Sequence, residues 1–295
     1  MGIRRWLLVA GCWLLVVGCE TAVSPPSPTV ILNAQPTTQP TPSLHHSITP
    51  SPPVTLSPGY LVTPSPPPDT GWQMLQTGLE RRIIRLVDAE GRLNEQLYLL
   101  RLDPAHFTFQ VAYSPGQPKS LTTWQAETGA QIVVNGGFFT EAYEATGLIV
   151  VDGVAGGASY VDFGGMFTVT AAGPEVRWLV ERPYLPNEPL QFALQSFPVL
   201  VKPGGQIGFP DEDGVQARRT VVAQDGNGRI LFLLAPYGSF TLHEMSRFLV
   251  ESDLSIDVAL NLDGGTSTGL VLSEPEEQVL AFTAVPAVIT VFPRN

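Results

Sequence analysis

Ala259-Leu260-Asn261-Leu262-Asp263-Gly264-Gly265-Thr266-Ser267-Thr268-Gly269-Leu270 is the stretch on which the reading of this chain turns. An apolar run from Ile256 to Leu262 leads into a carboxylate, two glycines and three hydroxyl residues, and a second apolar run covers Leu270 to Leu272. Two readings are open. Asp-Gly between apolar runs is a strong hairpin signal. Glycines at the end of a buried strand also let backbone N–H groups approach a ligand, because no Cβ stands in the way, and successive N–H groups of that kind make an anion-binding concavity. In the second reading Asp263, Gly264, Gly265, Thr266 and Ser267 form a site suited to sugar hydroxyls or phosphate oxygens.

The same design occurs upstream, at Val133-Val134-Asn135-Gly136-Gly137-Phe138-Phe139. A buried run ends in a polar residue and two glycines; Asn135 can both donate to and accept from a hydroxyl or phosphate. Two such strand ends in one domain weaken the plain-turn reading of either. The tandem Arg218-Arg219 ahead of the Thr220 run offers a guanidinium fork that fits a phosphate. Arg219 is the candidate clamp, set against ordinary pairing with Asp211, Glu212 or Asp213. Gln195 and Ser196 interrupt the apolar run 192–200 and need partners if buried; they either satisfy backbone at a bulge or touch a ligand.

Around these stretches the chain is dominated by short β-type runs. Residues 81–88 and 96–103 flank the turn residues Ala89-Glu90-Gly91, and 220–224 and 229–234 bracket Asp225-Gly226-Asn227-Gly228, so both read as hairpins. A short helix over 120–127 is stopped by Gly129, and a longer one starts at Thr241, where Thr241 and Glu244 make a capping box. The expected class is α+β, a single domain of mixed, mainly antiparallel β-sheet with two or three helices.

Composition divides the chain into three parts. Residues 1–19 carry Arg4 and Arg5, an apolar core and the ending Val16-Val17-Gly18-Cys19, which reads as a secretory signal. The small residue before Cys19 resembles a bacterial lipobox, which implies lipid modification of Cys19 and a protein anchored at the outer face of a bacterial membrane. Residues 20–71 are rich in Pro, Ser and Thr, and from Thr21 to Pro68 there is no charged residue, as expected of a disordered spacer. Residues 72–295 form the globular domain. Of the two cysteines, Cys12 lies within the signal, so the domain has no disulfide available.

Several functions are excluded or disfavoured. A net charge of -11 argues against nucleic acid as a partner. The domain contains only His106 and His243, neither beside a nucleophile motif. No His/Cys cluster suggests a metal and no phosphate-loop or dinucleotide fingerprint appears, so neither metal nor cofactor is expected.

Taken together, Asn135-Gly136-Gly137-Phe138-Phe139, Thr146-Gly147-Leu148-Ile149-Val150, Phe163-Gly164-Gly165-Met166-Phe167, Gln195-Ser196, Arg219-Thr220, Asn261-Leu262-Asp263-Gly264-Gly265-Thr266-Ser267 and Val285-Pro286-Ala287-Val288 resemble, in order and spacing, the phosphodiester glycosidase family. The resemblance covers about Leu97 to Val291. It departs at Thr266, where the family often has glycine or serine, and at Ala284, where an arginine usually stands. It implies cleavage of the sugar–phosphate bond of a sugar-1-phosphodiester in envelope or exopolysaccharide glycans. Asp263 would then face the anomeric carbon, Arg219 the phosphate, and Glu141 would be a second carboxylate acting as acid or base. Asn135, Gly136, Gly137, Gln195, Ser196, Gly264, Gly265, Thr266 and Ser267 would line the substrate. The alternative is a non-catalytic glycan-binding lipoprotein of the same fold.

Overall fold

The structure is a computed structural model that describes residues 67–160 and 162–294. The expected signal with Cys19 and most of the expected spacer lie outside the described residues. Backbone pairing is under way by Thr70, whose N–H donates to Ile83 O at 3.0 Å. Asp69 is fastened to the Arg82 guanidinium at 2.6 Å.

Three sheets carry the domain. The largest orders its strands Gln73–Gln76, Leu79–Val87, Leu93–Leu102, Ile230–Phe240, Ala217–Asp225, Ile256–Asn261, Val199–Lys202 and Gln206–Ile207. A second contains Val154–Gly156, Ile149–Val151, Phe192–Ser196, Gly165–Thr170 and Gly173–Trp178, and a third Glu277–Val279, Leu270–Leu272, Ile132–Asn135, Ala287–Pro293 and Phe107–Tyr113. Every pairing is antiparallel.

The expected α+β class with a mixed sheet is therefore corrected: the protein is mainly β. The physical reason lies in the connections. Parallel neighbours need a crossover of a dozen or more residues, usually a helix. Among the described residues there are two α-helices, Leu121–Thr128 and Leu242–Glu251. Each packs on the outside of one sheet and links no parallel pair.

The core follows from strand alternation. Leu100, Val222, Phe232 and Leu260 of the large sheet meet Phe167 and Leu194 of the second and Val134 and Ile289 of the third in one buried cluster. The opposite face of the large sheet, with Val221, Ala223 and Leu233, is covered by Met245 and Leu249 of the longer helix. That helix holds its capping box: the Thr241 side chain accepts from the Glu244 N–H, and the Glu244 carboxylate accepts from the Thr241 N–H. The shorter helix, stopped by Gly129 at φ 69°, buries Leu121 and Trp124 on the third sheet.

The opening stretch is not a hairpin. Leu270–Leu272 pairs with Ile132–Asn135 in the third sheet, whereas Ile256–Asn261 lies in the large sheet between Ala217–Asp225 and Val199–Lys202. Residues 262–269 carry the chain from one sheet to the other, through a short 3-10 turn at Gly265–Ser267.

Candidate active site

The crossover is held by Asn135, at the end of its strand and fully buried. Its Oδ1 accepts from Thr220 Oγ1 at 2.9 Å and from Gly269 N at 3.0 Å. Its Nδ2 donates to Asp263 O at 2.7 Å. Asp263 N in turn donates to Gly136 O at 3.0 Å, and Leu262 N donates to Thr220 O. One side-chain amide thus ties three segments, two sheets and both ends of the crossover together. The role of Asn135 is to position the Asp263 backbone, and its hydrogen-bonding groups are directed inward.

Glycine is required at two points beneath the site. A Cβ on Gly136 would stand 2.8 Å from Ala287 O, and one on Gly264 would stand 2.6 Å from Arg218 O. The chain at both strand ends is therefore pressed against neighbouring backbone, which any side chain would push away.

Above this support opens a cleft of about 540 Å³ lined by Asp263, Gly264, Gly265, Thr266 and Ser267 on one side and Phe139, Thr140, Glu141 and Tyr143 on the other, with Thr283 at one end. Asp263 is partly buried at its base and Glu141 is exposed at its rim. Burial pushes the Asp263 carboxyl up to about 6, with the Ser267 side chain and the Gly264 N–H pulling the other way. The N–H groups of Gly265 and Thr266 find no acceptor in the protein among the described residues. Ser267 is buried, and Thr266 is exposed. The cleft thus offers two carboxylates, several hydroxyls and free turn N–H groups.

The structure brings Asp263, Glu141 and 264–267 together in one cleft; of the other expected site residues, Asn135, Gly136 and Gly137 lie beneath it and Arg219, Gln195 and Ser196 lie elsewhere. Arg219 alternates with Thr220 along its strand, so it points to the opposite face of the large sheet. There it is buried, its Nε donating to Phe240 O at 3.1 Å and its Nη2 to Val215 O at 2.6 Å. It is a fastening for backbone and not a clamp in the cleft. Gln195 is equally committed: its Oε1 accepts from the N–H groups of Tyr160 (2.8 Å) and Leu148 (3.3 Å), while Nε2 donates to Ser159 Oγ at 2.8 Å. Its work is to pin the segment around Tyr160. Ser196 is fully buried and its hydroxyl has no partner in the protein. Gly137 packs against the Gln195 carbonyl, 2.7 Å from where its Cβ would be, and so supports the site from below.

Sequence reasoning missed Thr140, Tyr143 and Thr283 as lining residues, and neither arginine of the tandem lines the cleft. A register shift between Ala217 and Arg219 sends Arg218 toward the segment 280–282. Its Nη2 donates to Leu280 O at 2.7 Å and its guanidinium lies 4.2 Å from the Phe282 ring centre. Local sequence carries no signal for that shift. Among the described residues lining the cleft, none is cationic, and none gathers three or more His, Cys, Asp or Glu side chains for a metal.

The comparisons with known proteins fit this geometry. Fourteen chains of solved structures match. One is the zebrafish N-acetylglucosamine-1-phosphodiester alpha-N-acetylglucosaminidase catalytic domain, auto-inhibited by its pro-peptide: TM-score 0.60 at 20% identity, covering 74% of this chain and 84% of that one. A hypothetical protein from Synechocystis gives a TM-score of 0.54 at 15% identity, covering 74% and 63%. A Burkholderia pseudomallei protein assigned as exported gives 0.50 at 14% identity, covering 68% and 74%. These likenesses establish the fold. No curated protein matches the sequence. The family model for phosphodiester glycosidase matches residues 128–292, which spans both strand-Gly-Gly ends and the cleft between them, and the chain belongs to the phosphodiester glycosidase family.

Proposed function

We propose that the protein is an extracytoplasmic lipoprotein hydrolase that cleaves the sugar–phosphate bond of sugar-1-phosphodiesters in envelope or exopolysaccharide glycans. The observation that carries this reading is Asp263: a carboxylate at the base of an open polar cleft, its backbone fixed by Asn135 and Gly136, and its pKa raised by burial to about 6. A general base works best when its pKa lies near the working pH. The exported Burkholderia protein of like fold and the N-terminal signal with Cys19 support the location, at the outer face of a bacterial membrane.

In the reaction a water oxygen bonds to the anomeric carbon as the C1–O bond breaks with its electron pair on the phosphate oxygen. Asp263 takes the proton that the water loses, and the products are the free sugar and a phosphomonoester. The leaving phosphate is already a weak base, so no strong acid is needed opposite Asp263. Glu141, at the rim, is the second carboxylate and engages the sugar or its departing oxygen. The free N–H groups of Gly265 and Thr266, with the Thr266 hydroxyl, face the charge that grows on the phosphate, while the Ser267 hydroxyl donates to Asp263. Donors of this kind contribute on the order of 10²–10³ in rate each.

A second reading, a glycan-binding lipoprotein without turnover, is favoured by one feature, the lack of a cationic side chain in the cleft lining. The two are separated by incubating the purified full-length protein with N-acetylglucosamine-1-phosphodiesters, the class named for the zebrafish enzyme. Release of free sugar and phosphomonoester that is lost in Asp263→Asn supports hydrolysis; binding without release supports the second reading.

A further inference from the structure

Beside the polar cleft lies a second cavity of different chemistry. It holds about 230 Å³ and its walls are mainly apolar, with Val271, Leu280 and Phe282 among them, beside the polar Ser120, Thr122 and Gln278. Thr283 lines both cavities, so the two meet along one edge. The segment 280–283 that separates them is stitched to the catalytic turn: the N–H groups of Phe282 and Thr283 both donate to Thr266 O, at 2.7 and 3.2 Å.

Two further features of this segment need an explanation. Leu280 is 59% exposed and Phe282 is 67% exposed, two large apolar side chains within three residues at the mouth of an apolar cavity. Clustered exposed apolar surface commonly marks a binding site. Arg218, held on Leu280 O and stacked on Phe282, has Nε and Nη1 shielded from water and without a partner in the protein. The guanidinium therefore serves to hold the segment 280–282 in place.

Resting on the glycosidase reading, we infer that the substrate is amphiphilic: its sugar occupies the polar cleft over Asp263, and an apolar aglycone on the other side of the phosphate occupies the cavity walled by Leu280 and Phe282. Arg218 fastens that wall from behind, through Leu280 O and the face of the Phe282 ring. At about 30 Å³ per small group, the cavity accommodates on the order of eight heavy atoms. An alkyl aglycone therefore gains from its first several carbons and little beyond.

The test uses the full-length protein and N-acetylglucosamine-1-phosphodiesters with methyl, butyl and octyl aglycones, kept below micelle formation. Each methylene fully removed from water is worth roughly fourfold, so partial burial over three methylenes raises kcat/KM about tenfold from methyl to butyl. The separate exposed-site variants Phe282→Ser and Leu280→Ser each bring the butyl-to-methyl ratio down to about threefold or less. Equal kcat/KM across the wild-type series, with hydrolysis of all three, overturns the aglycone site and leaves the glycosidase reading standing. Calorimetric binding of the matching non-hydrolysable phosphonates covers the remaining case. Tighter butyl than methyl binding without any turnover overturns hydrolysis and supports the apolar site; equal binding overturns the apolar site whatever the turnover.

Discussion

Replacing Asp263 by asparagine is expected to make the protein more stable at neutral pH while removing its activity. The carboxyl titrates at about 6 in the folded protein instead of the ordinary 3.8, chiefly because it is buried. At about 1.4 kcal/mol for each tenfold change in proton affinity, holding it ionised at pH 7.5 costs the fold up to about 3 kcal/mol. Water reaching its cleft face and the acceptor lost to Ser267 and Gly264 reduce the gain in Asp263→Asn to about 1 kcal/mol. For a domain of this size that raises the melting temperature by about 2–4 °C. The sign fixes the pH window. The folded pKa lies above the unfolded one, so the folded state binds more protons between about pH 4 and 6. Asp263 therefore lowers stability as pH rises through that range, a contribution that the asparagine variant lacks. Thermal melts of both proteins from pH 4 to 7.5 should show the variant's advantage growing with pH and disappearing near pH 4. Hydrolysis by the variant should fall by about 10²–10⁴. A variant that melts below wild type at pH 7.5, or a difference indifferent to pH, refutes the view that Asp263 is a desolvated base.

Other residues separate positioning from chemistry. Asn135→Ala leaves Thr220 Oγ1, Gly269 N and Asp263 O without their buried partner, and should cost about 3–5 kcal/mol in chemical denaturation, together with activity. Arg219→Ala removes two hydrogen bonds to backbone carbonyls. It should lower stability by about 2–3 kcal/mol and, assayed well below the melting temperature, leave KM for the phosphodiester within about twofold. Glu141→Gln, at the exposed rim, should change stability by less than about 0.5 kcal/mol and lower kcat at least tenfold in steady-state assays.

The elements that local chemistry specifies were legible in the sequence. The Thr241–Glu244 capping box, the Gly129 stop and the Asp225–Gly228 turn each act over a few residues, and each sits where composition and spacing place it. The pairing of sheets was not legible. Asp263-Gly264-Gly265 has the local signature of a hairpin, and only the choice of Ile132–Asn135 as partner for Leu270–Leu272 turns it into a crossover. That choice is made by core burial over long sequence separation. The same limit explains Arg219. A strand's face is fixed by alternation, but the register shift at Ala217 sets where the two adjacent arginines go, Arg219 to Phe240 O and Arg218 to Leu280 O. Asn135 was singled out correctly as a polar strand end, yet its amide serves the backbone of Asp263 instead of a substrate.

The central claim is that the bond between sugar and phosphate oxygen is the one that breaks. Hydrolysis of an N-acetylglucosamine-1-phosphodiester by the full-length protein in ¹⁸O-labelled water, followed by mass spectrometry of both products, tests it most directly. The account expects the label at the anomeric oxygen of the sugar and none in the phosphomonoester. Label in the phosphate would mean attack at phosphorus, and would contradict a role for Asp263 at the anomeric carbon.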